Sequence, residues 1–445
     1  MNYSSELKLL ISLGLNIIVL VFMSIINTHA IIFLINIMIL ITYIFHRPKN
    51  IFNPKNMVFV FSFLYILLPS SVEYIYDIYN LDYLLPWGKP VEWYRYELST
   101  YYDMYLLYLF LFYSFHLFLK KEYVNKITDF KINRIKLYIL VTITLLSLIL
   151  YMQLTGGIGN WISNYKETFL LGRGGVGLFN FVTLLLVNIS VFLLGLYSFK
   201  SNKKKFIILF SILFIIFAAY IQGLKSRIII LLIIFYFPYL YQMNLKLSKL
   251  VILGILFFVL LFIGNYIRSD GYYDSGAIFF EYMMTYFNIY EIHNLIVLES
   301  DAEFFKTLHY SFVKPLISLG FLDSDTAYDL SVELTKKYFP KDWELMRATQ
   351  QWPLTTYIYY NYYGFYFGWI PIVLYAFLIS QLYKEMSKGN IAISLVFILE
   401  FFRIFTIQRG EFIPWQMPIY IVFYIIIYYV VKNVIYLNHT YENSQ

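Results

Sequence analysis

The chain of 445 residues contains no cysteine, and only 14% of its residues are charged. The first absence excludes disulfides and cysteine-ligated metals. The second excludes a soluble domain, in which about a quarter of residues carry charge. Neither His293 nor His309 stands in an HExxH-like spacing, and no internal repeat or low-complexity tail is visible. The N-terminus lacks a basic start and a small-residue cleavage site, so residues 7–27 read as a retained first span. What fills the chain instead is hydrophobe, at 60% of residues, with 46 Tyr and 43 Phe and a mean hydropathy of +0.64. Many of the tyrosines stand where helices meet water, as interfacial anchors do.

Apolar runs long enough to cross a hydrocarbon core of about 30 Å fall near 7–27, 29–45, 57–72, 101–119, 137–154, 178–199, 206–222, 228–243, 250–267, 354–382, 391–408 and 413–431. They are continuous rather than alternating, which excludes a β-barrel. The expected fold is all-α: one membrane helical bundle over residues 1–445, of about twelve transmembrane helices, with a long structured loop at 268–353. With the N-terminus inside, the inner segments hold 19 Lys+Arg, the short outer segments 8 and the long loop 7 of the 34. Loops that long barely affect orientation. Both termini are therefore expected in the cytoplasm, with the loop outside the cytoplasmic membrane. The net charge of +7 lies at span ends, so it sets topology and is not a nucleic-acid signal. Within the loop, Glu281, Thr285, Asn288 and Glu291 form a polar stripe over 277–298. That stripe predicts an amphipathic helix lying on the membrane or closing over the bundle.

Gly172-Arg173-Gly174-Gly175-Val176-Gly177 fits GxGxxG, but it lacks the strand and βαβ unit of a dinucleotide site. It reads as a surface loop that could bring Arg173 to a ligand. Asp323-Ser324-Asp325 beside Gly320 reads as a turn, and no metal site is expected. Gly223-Leu224-Lys225-Ser226-Arg227 differs, because Arg227 opens a helix of Ile and Leu. Arg268 ends the ninth span and Arg409 the eleventh, so all three are expected at one depth, at the outer ends of three helices. Cations there need an anionic partner, and a guanidinium matches phosphate oxygens with two hydrogen bonds. Glu400 and Arg403, three apart inside the eleventh span, read first as an internal ion pair.

Ser226-Arg227, the long loop in the C-terminal half, Pro353 to Gly368 with its Tyr and Gly punctuation, and Arg409-Gly410-Glu411 together resemble the Wzy-type O-antigen polymerases. These oligosaccharide repeat unit polymerases are related to the O-antigen ligases. Ile228 stands where the family often has Gly after the Arg. His293-Asn294 resembles a ligase His-Asn pair but lies early in the loop.

The resemblance implies an inverting, metal-independent glycosyltransferase, glycosyltransferase C-like, that needs no cofactor. It implies donor and acceptor oligosaccharides linked to undecaprenyl pyrophosphate in the lipid bilayer, for O-antigen or capsule. A chain-length regulator and a flippase would be the protein partners, and nucleic acid none. Arg227, Arg268 and Arg409, with Lys225, Arg173 and Arg403, would hold the donor pyrophosphate. A base for the acceptor hydroxyl would come from Glu411, Asp270, Glu281 or His309. An O-antigen ligase, a lipid-oligosaccharide flippase or other transporter, and a non-catalytic scaffold are the alternatives.

Overall fold

In the computed structural model, helices begin where the sequence supplies caps and end where it supplies turns. The structure describes residues 5–25, 30–79, 97–119, 130–164, 176–201, 204–222, 225–243, 289–299, 301–310, 329–346, 351–410 and 417–437, with a few isolated positions between them. The helices are α1 (Ser5–Ile25), α2 (Ala30–His46), α3 (Pro54–Ser62), α4 (Leu68–Ile78), α5 (Leu98–Phe118), α6 (Arg134–Leu154), α7 (Ile158–Ser163), α8 (Gly177–Lys200), α9 (Lys204–Gln222) and α10 (Lys225–Leu240). They continue as α11 (Ile289–Glu299), α12 (Leu330–Tyr338), α13 (Pro340–Met346), α14 (Leu354–Asn361), α15 (Phe365–Ser387), α16 (Ile391–Ile407) and α17 (Met417–Val434). Between α3 and α4 the chain makes a π-helical turn, Phe63–Leu67. Asn53, Asn133 and Asn390 cap α3, α6 and α16 by accepting from backbone N–H groups of the first turn.

Among the described residues, six helical stretches are long and apolar enough to cross a membrane: Glu6–Met23, Pro54–Val72, Arg134–Leu154, Phe179–Lys200, Lys204–Gln222 and Phe365–Ser387. Their outward faces carry large exposed hydrophobes such as Leu10, Leu146, Phe206 and Leu374, a surface suited to lipid rather than water. The protein is an all-α, multi-pass membrane protein. Of the apolar runs above, only 250–267 lies outside the described residues; each of the others coincides with helix.

The run 354–382 corrects the expectation of one continuous span. It breaks into α14 and α15 at Tyr363 and Gly364, both with positive φ (50° and 59°). Gly368, in the first turn of α15, has no room for a Cβ, which would fall 2.4 Å from Cγ2 of Ile358. Its bareness lets α14 fold back against α15, and α14 is buried along nearly its whole length. In front of the break lies residues 303–307. Glu303 N–H donates to the Tyr359 carbonyl and Thr307 N–H to Asn361 Oδ1.

The core lies along α5 and α16, whose Tyr105, Leu107, Phe112, Leu395, Phe397 and Ile404 are fully buried. α5 packs on α3 and α15, and α16 on α3, α15 and α17. A second group, α6, α8, α9 and α10, gathers around α8. A short antiparallel ribbon, β1 (Phe130–Ile132) with β2 (Ile435–Leu437), ties the segment before α6 to the end of α17.

Candidate functional site

Arg227 stands in the first turn of α10, yet its side chain is buried, at 6% exposure. Its Nε donates to Gln222 Oε1 at 2.6 Å, and its Nη2 donates to Asn188 Oδ1 at 2.5 Å. Asn188 lies about halfway along the 24-residue α8. Helices α8, α9 and α10 follow one another through short turns, so α8 and α10 run parallel. Gly195 meets the backbone of Phe235 farther along the same pair. The start of α10 is therefore level with the middle of α8. The side chain therefore turns into the helix packing rather than out along the surface of α10. Its guanidinium is held inside the bundle by two neutral amides. Among the described residues no carboxylate pairs with it.

A buried cation without a counter-charge is costly, because desolvation is offset only by dipoles. The fork of Arg227 is half used. Two N–H directions go to the amides, and the remaining donors can meet one further acceptor set. The site thus has the chemistry of an anion receptor, with Asn188 and Gln222 fixing the fork.

The other cations occupy different settings. Arg403 is committed to the chain itself: Nη1 donates to Glu400 Oε1 at 3.0 Å and Nη2 to the Phe412 carbonyl at 3.1 Å. Tyr424 donates its hydroxyl to the same Glu400 oxygen, and Tyr420 offers its ring face to the guanidinium at 5.4 Å. The expected internal ion pair is thus present, and it joins α16 to α17. Arg409, just past α16, donates from Nη1 to the Tyr65 hydroxyl at 2.6 Å and lies over the same ring. Tyr65 belongs to the π turn and packs edge-on against Phe287 at 5.0 Å. Lys225 opens α10, but its side chain is outside the described residues, as are Arg173, Arg268, Asp270, Glu281 and Glu411. His309 is described and is exposed.

A second polar cluster joins α11 to the bundle. His293 is fully buried; its Nε2 meets Asp103 Oδ2 at 2.9 Å and its Nδ1 meets Thr356 Oγ1 at 3.2 Å. Beside it, Asn294 Oδ1 accepts from the backbone N–H of Glu97 and the Thr100 hydroxyl, at 2.8 and 3.1 Å. Tyr290, one turn earlier, donates to the Ile66 carbonyl and packs on Tyr101. Of the helix expected over 277–298, residues 277–286 and 288, with Glu281, Thr285 and Asn288 of the stripe, lie outside the described residues; the described part, α11, packs on α5, the π turn and α14. The described polar residues His293 and Asn294 point inward, so the face that docks is not purely apolar. His293-Asn294 therefore serves at least to fasten α11 to α5 and α14.

Sequence reasoning missed Asn188, Gln222, Tyr65, Asp103 and Thr356. Asp103 had a readable signal, because an acidic residue within an apolar run is rare and usually has a job. No family model, no curated protein and no solved structure matches this chain.

Proposed function

We propose that this membrane protein polymerises oligosaccharide repeat units carried on a lipid pyrophosphate, as the resemblance to O-antigen polymerases implies. In this reading twelve spans form a glycosyltransferase C-like bundle in the cytoplasmic membrane. Both termini are cytoplasmic, and 268–353 is the extracytoplasmic loop. Arg227 receives the pyrophosphate of the donor, undecaprenyl pyrophosphate bearing the growing glycan. The acceptor is a single lipid-linked unit, and the product is O-antigen or capsular polysaccharide. One observation supports this above others: a buried guanidinium held by Asn188 and Gln222 with no carboxylate partner among the described residues. An arginine in that state stabilises the charge that builds on a pyrophosphate leaving group. Arg409, Arg268 and Lys225 would extend the anion path toward the outer surface, as would Arg173.

Surface glycan from a deletion strain complemented with Arg227→Ala tests this on a gel. A single repeat unit on the acceptor in place of a ladder is the expected result. A wild-type ladder would sink the pyrophosphate role.

A lipid-oligosaccharide flippase is the second reading, and one feature favours it. Ser12, Asn16, Thr42, His46 and Tyr113 form a buried hydrogen-bonded chain between α1, α2 and α5. It lies beside a half-open, mostly apolar groove of about 390 Å³, to which Asn16, Tyr113, Ser114 and His116 contribute among Leu, Ile and Phe side chains. Intramembrane polar chains of this kind mark transport paths. Loss of every surface repeat, with lipid-linked units accumulating, would support that reading instead.

A further inference from the structure

We infer that Asp103 is the general base that takes the proton of the acceptor hydroxyl, with His293 as its positioning residue. This rests on the polymerase reading and adds the group that the reading leaves unassigned.

The argument begins with placement. Asp103 sits in the second turn of α5 and is its only carboxylate; apart from Ser99, Thr100, Ser114 and His116 the rest of the helix is Leu, Tyr, Phe and Met. A carboxylate at that position is retained only against a specific partner or task. Its partner is unequal to it in access. His293 has no exposed surface, whereas the Asp103 side chain is 21% exposed. In a base held by an orienting residue, the orienter is enclosed and the acting group faces the reactants. The order here is Thr356, then His293, then Asp103, then open surface. With Asp103 ionised, Nε2–H of His293 donates to Oδ2 and the Thr356 hydroxyl faces Nδ1. One carboxylate oxygen is thereby fixed, and Oδ1 is left to accept a substrate proton.

The surroundings suit an acceptor sugar. Tyr359 of α14 lies edge-on to His293 at 6.3 Å and within electrostatic reach of both Asp103 and Asp301. Among the described residues, His293 from α11 touches Asp103 and Tyr359 from α14 lies within electrostatic reach of it. Aromatic and carboxylate side chains together make the surface that hydroxyl-rich rings favour. Arg409 donates to Tyr65, whose ring packs on Phe287 two residues before α11, so one candidate donor cation reaches the N-terminal side of the helix that carries His293.

The step balances without an added reactant. The acceptor O–H gives its proton to Asp103, and its oxygen forms a bond to the anomeric carbon of the donor. The bond from that carbon to the pyrophosphate oxygen breaks, and the electron pair leaves on the lipid pyrophosphate. Inversion at the anomeric carbon follows from a single displacement.

The test uses the full-length protein in nanodiscs, supplied with an undecaprenyl-pyrophosphate-linked oligosaccharide repeat unit. Asp103→Asn keeps an oxygen that can accept from His293, so the fold is preserved. Its chain-extension rate should fall by about 100-fold or more, with unchanged donor retention and an unchanged unfolding midpoint. His293→Leu should lose much of the rate without weakening donor retention, and His293→Gln, whose amide N–H can still donate to Asp103, should restore it. An Asp103→Asn protein with the wild-type rate overturns the inference. So does one whose rate, midpoint and donor retention all fall together, which would make the pair a helix fastener only. Arg227→Ala separates the two claims. Loss of donor retention there, beside a wild-type rate in Asp103→Asn, sinks the base and spares the polymerase. Wild-type polymerisation by Arg227→Ala sinks the pyrophosphate site itself.

Discussion

Gly195→Ala should damage both the fold and the anion site, and the size of the damage can be worked out. An ideal Cβ at Gly195 would lie 2.1 Å from the Phe235 carbonyl oxygen. Ordinary C···O contacts are about 3.3 Å, so α8 and α10 must part by roughly 1 Å. Overpacking of this kind costs about 1–3 kcal/mol. Asn188 lies two turns earlier on the same face of α8. The same parting stretches its bond to Arg227 from 2.5 Å toward about 3.5 Å, outside hydrogen-bond range. Hydrogen bonds to charged groups contribute about 1.5–3 kcal/mol. Alanine returns about 0.5–1 kcal/mol of helix preference, which leaves a net loss of about 2–5 kcal/mol. Thermal unfolding of the purified protein in detergent reads this directly. Gly14→Ala is the control, because nothing lies within 4 Å of the Cβ it would add. Equal midpoints for the two variants would refute the close approach of α8 and α10.

Three further outcomes follow from the geometry. Glu400→Leu should cost about 3–5 kcal/mol by stranding buried Arg403, and Arg403→Met added to it should recover most of that loss; a double variant less stable than the single would contradict the pairing. Asn361→Ala removes three contacts to Thr307, at 2.8, 3.3 and 3.1 Å. It should expose residues 301–310 to limited proteolysis at a cost of about 1–3 kcal/mol, while the global midpoint barely moves. In the loop, burial raises the Glu333 carboxyl above its ordinary value of 4.5, against the smaller pull of Lys306, and its Oε2 accepts no hydrogen bond among the described residues. For an acid with a raised folded-state value, the stability contribution is full below the ordinary value. It is lost as pH rises through the raised one. Wild type should therefore lose more stability than Glu333→Gln between pH 4 and 7, and parallel profiles would remove the burial argument.

Helices were legible in this chain because runs of Leu, Ile and Phe dominate every other signal. Breaks and depths were not. No charged residue falls in the run 354–382 to mark a break, so the α14–α15 turn depends on Gly364 and on Tyr363, whose positive φ is set by the 303–307 segment packed in front. The depth of Arg227 was hidden for a related reason. A span count places residues by distance from a turn, whereas α8 runs well beyond the start of α10 and carries Asn188 to meet it. The Glu400–Arg403 pair was readable, since three-residue spacing puts both on one helix face. The Asp103–His293 contact joins residues far apart in sequence, and only the docking of α11 brings them together.

Reconstitution reaches the central claim most directly. Protein in nanodiscs, given only the undecaprenyl-pyrophosphate-linked repeat unit, should produce a ladder of longer glycans and release free undecaprenyl pyrophosphate. Both signals should disappear in Arg227→Ala. Movement of the intact lipid-linked unit across a bilayer, with neither ladder nor free pyrophosphate, would contradict the polymerase and identify a transporter.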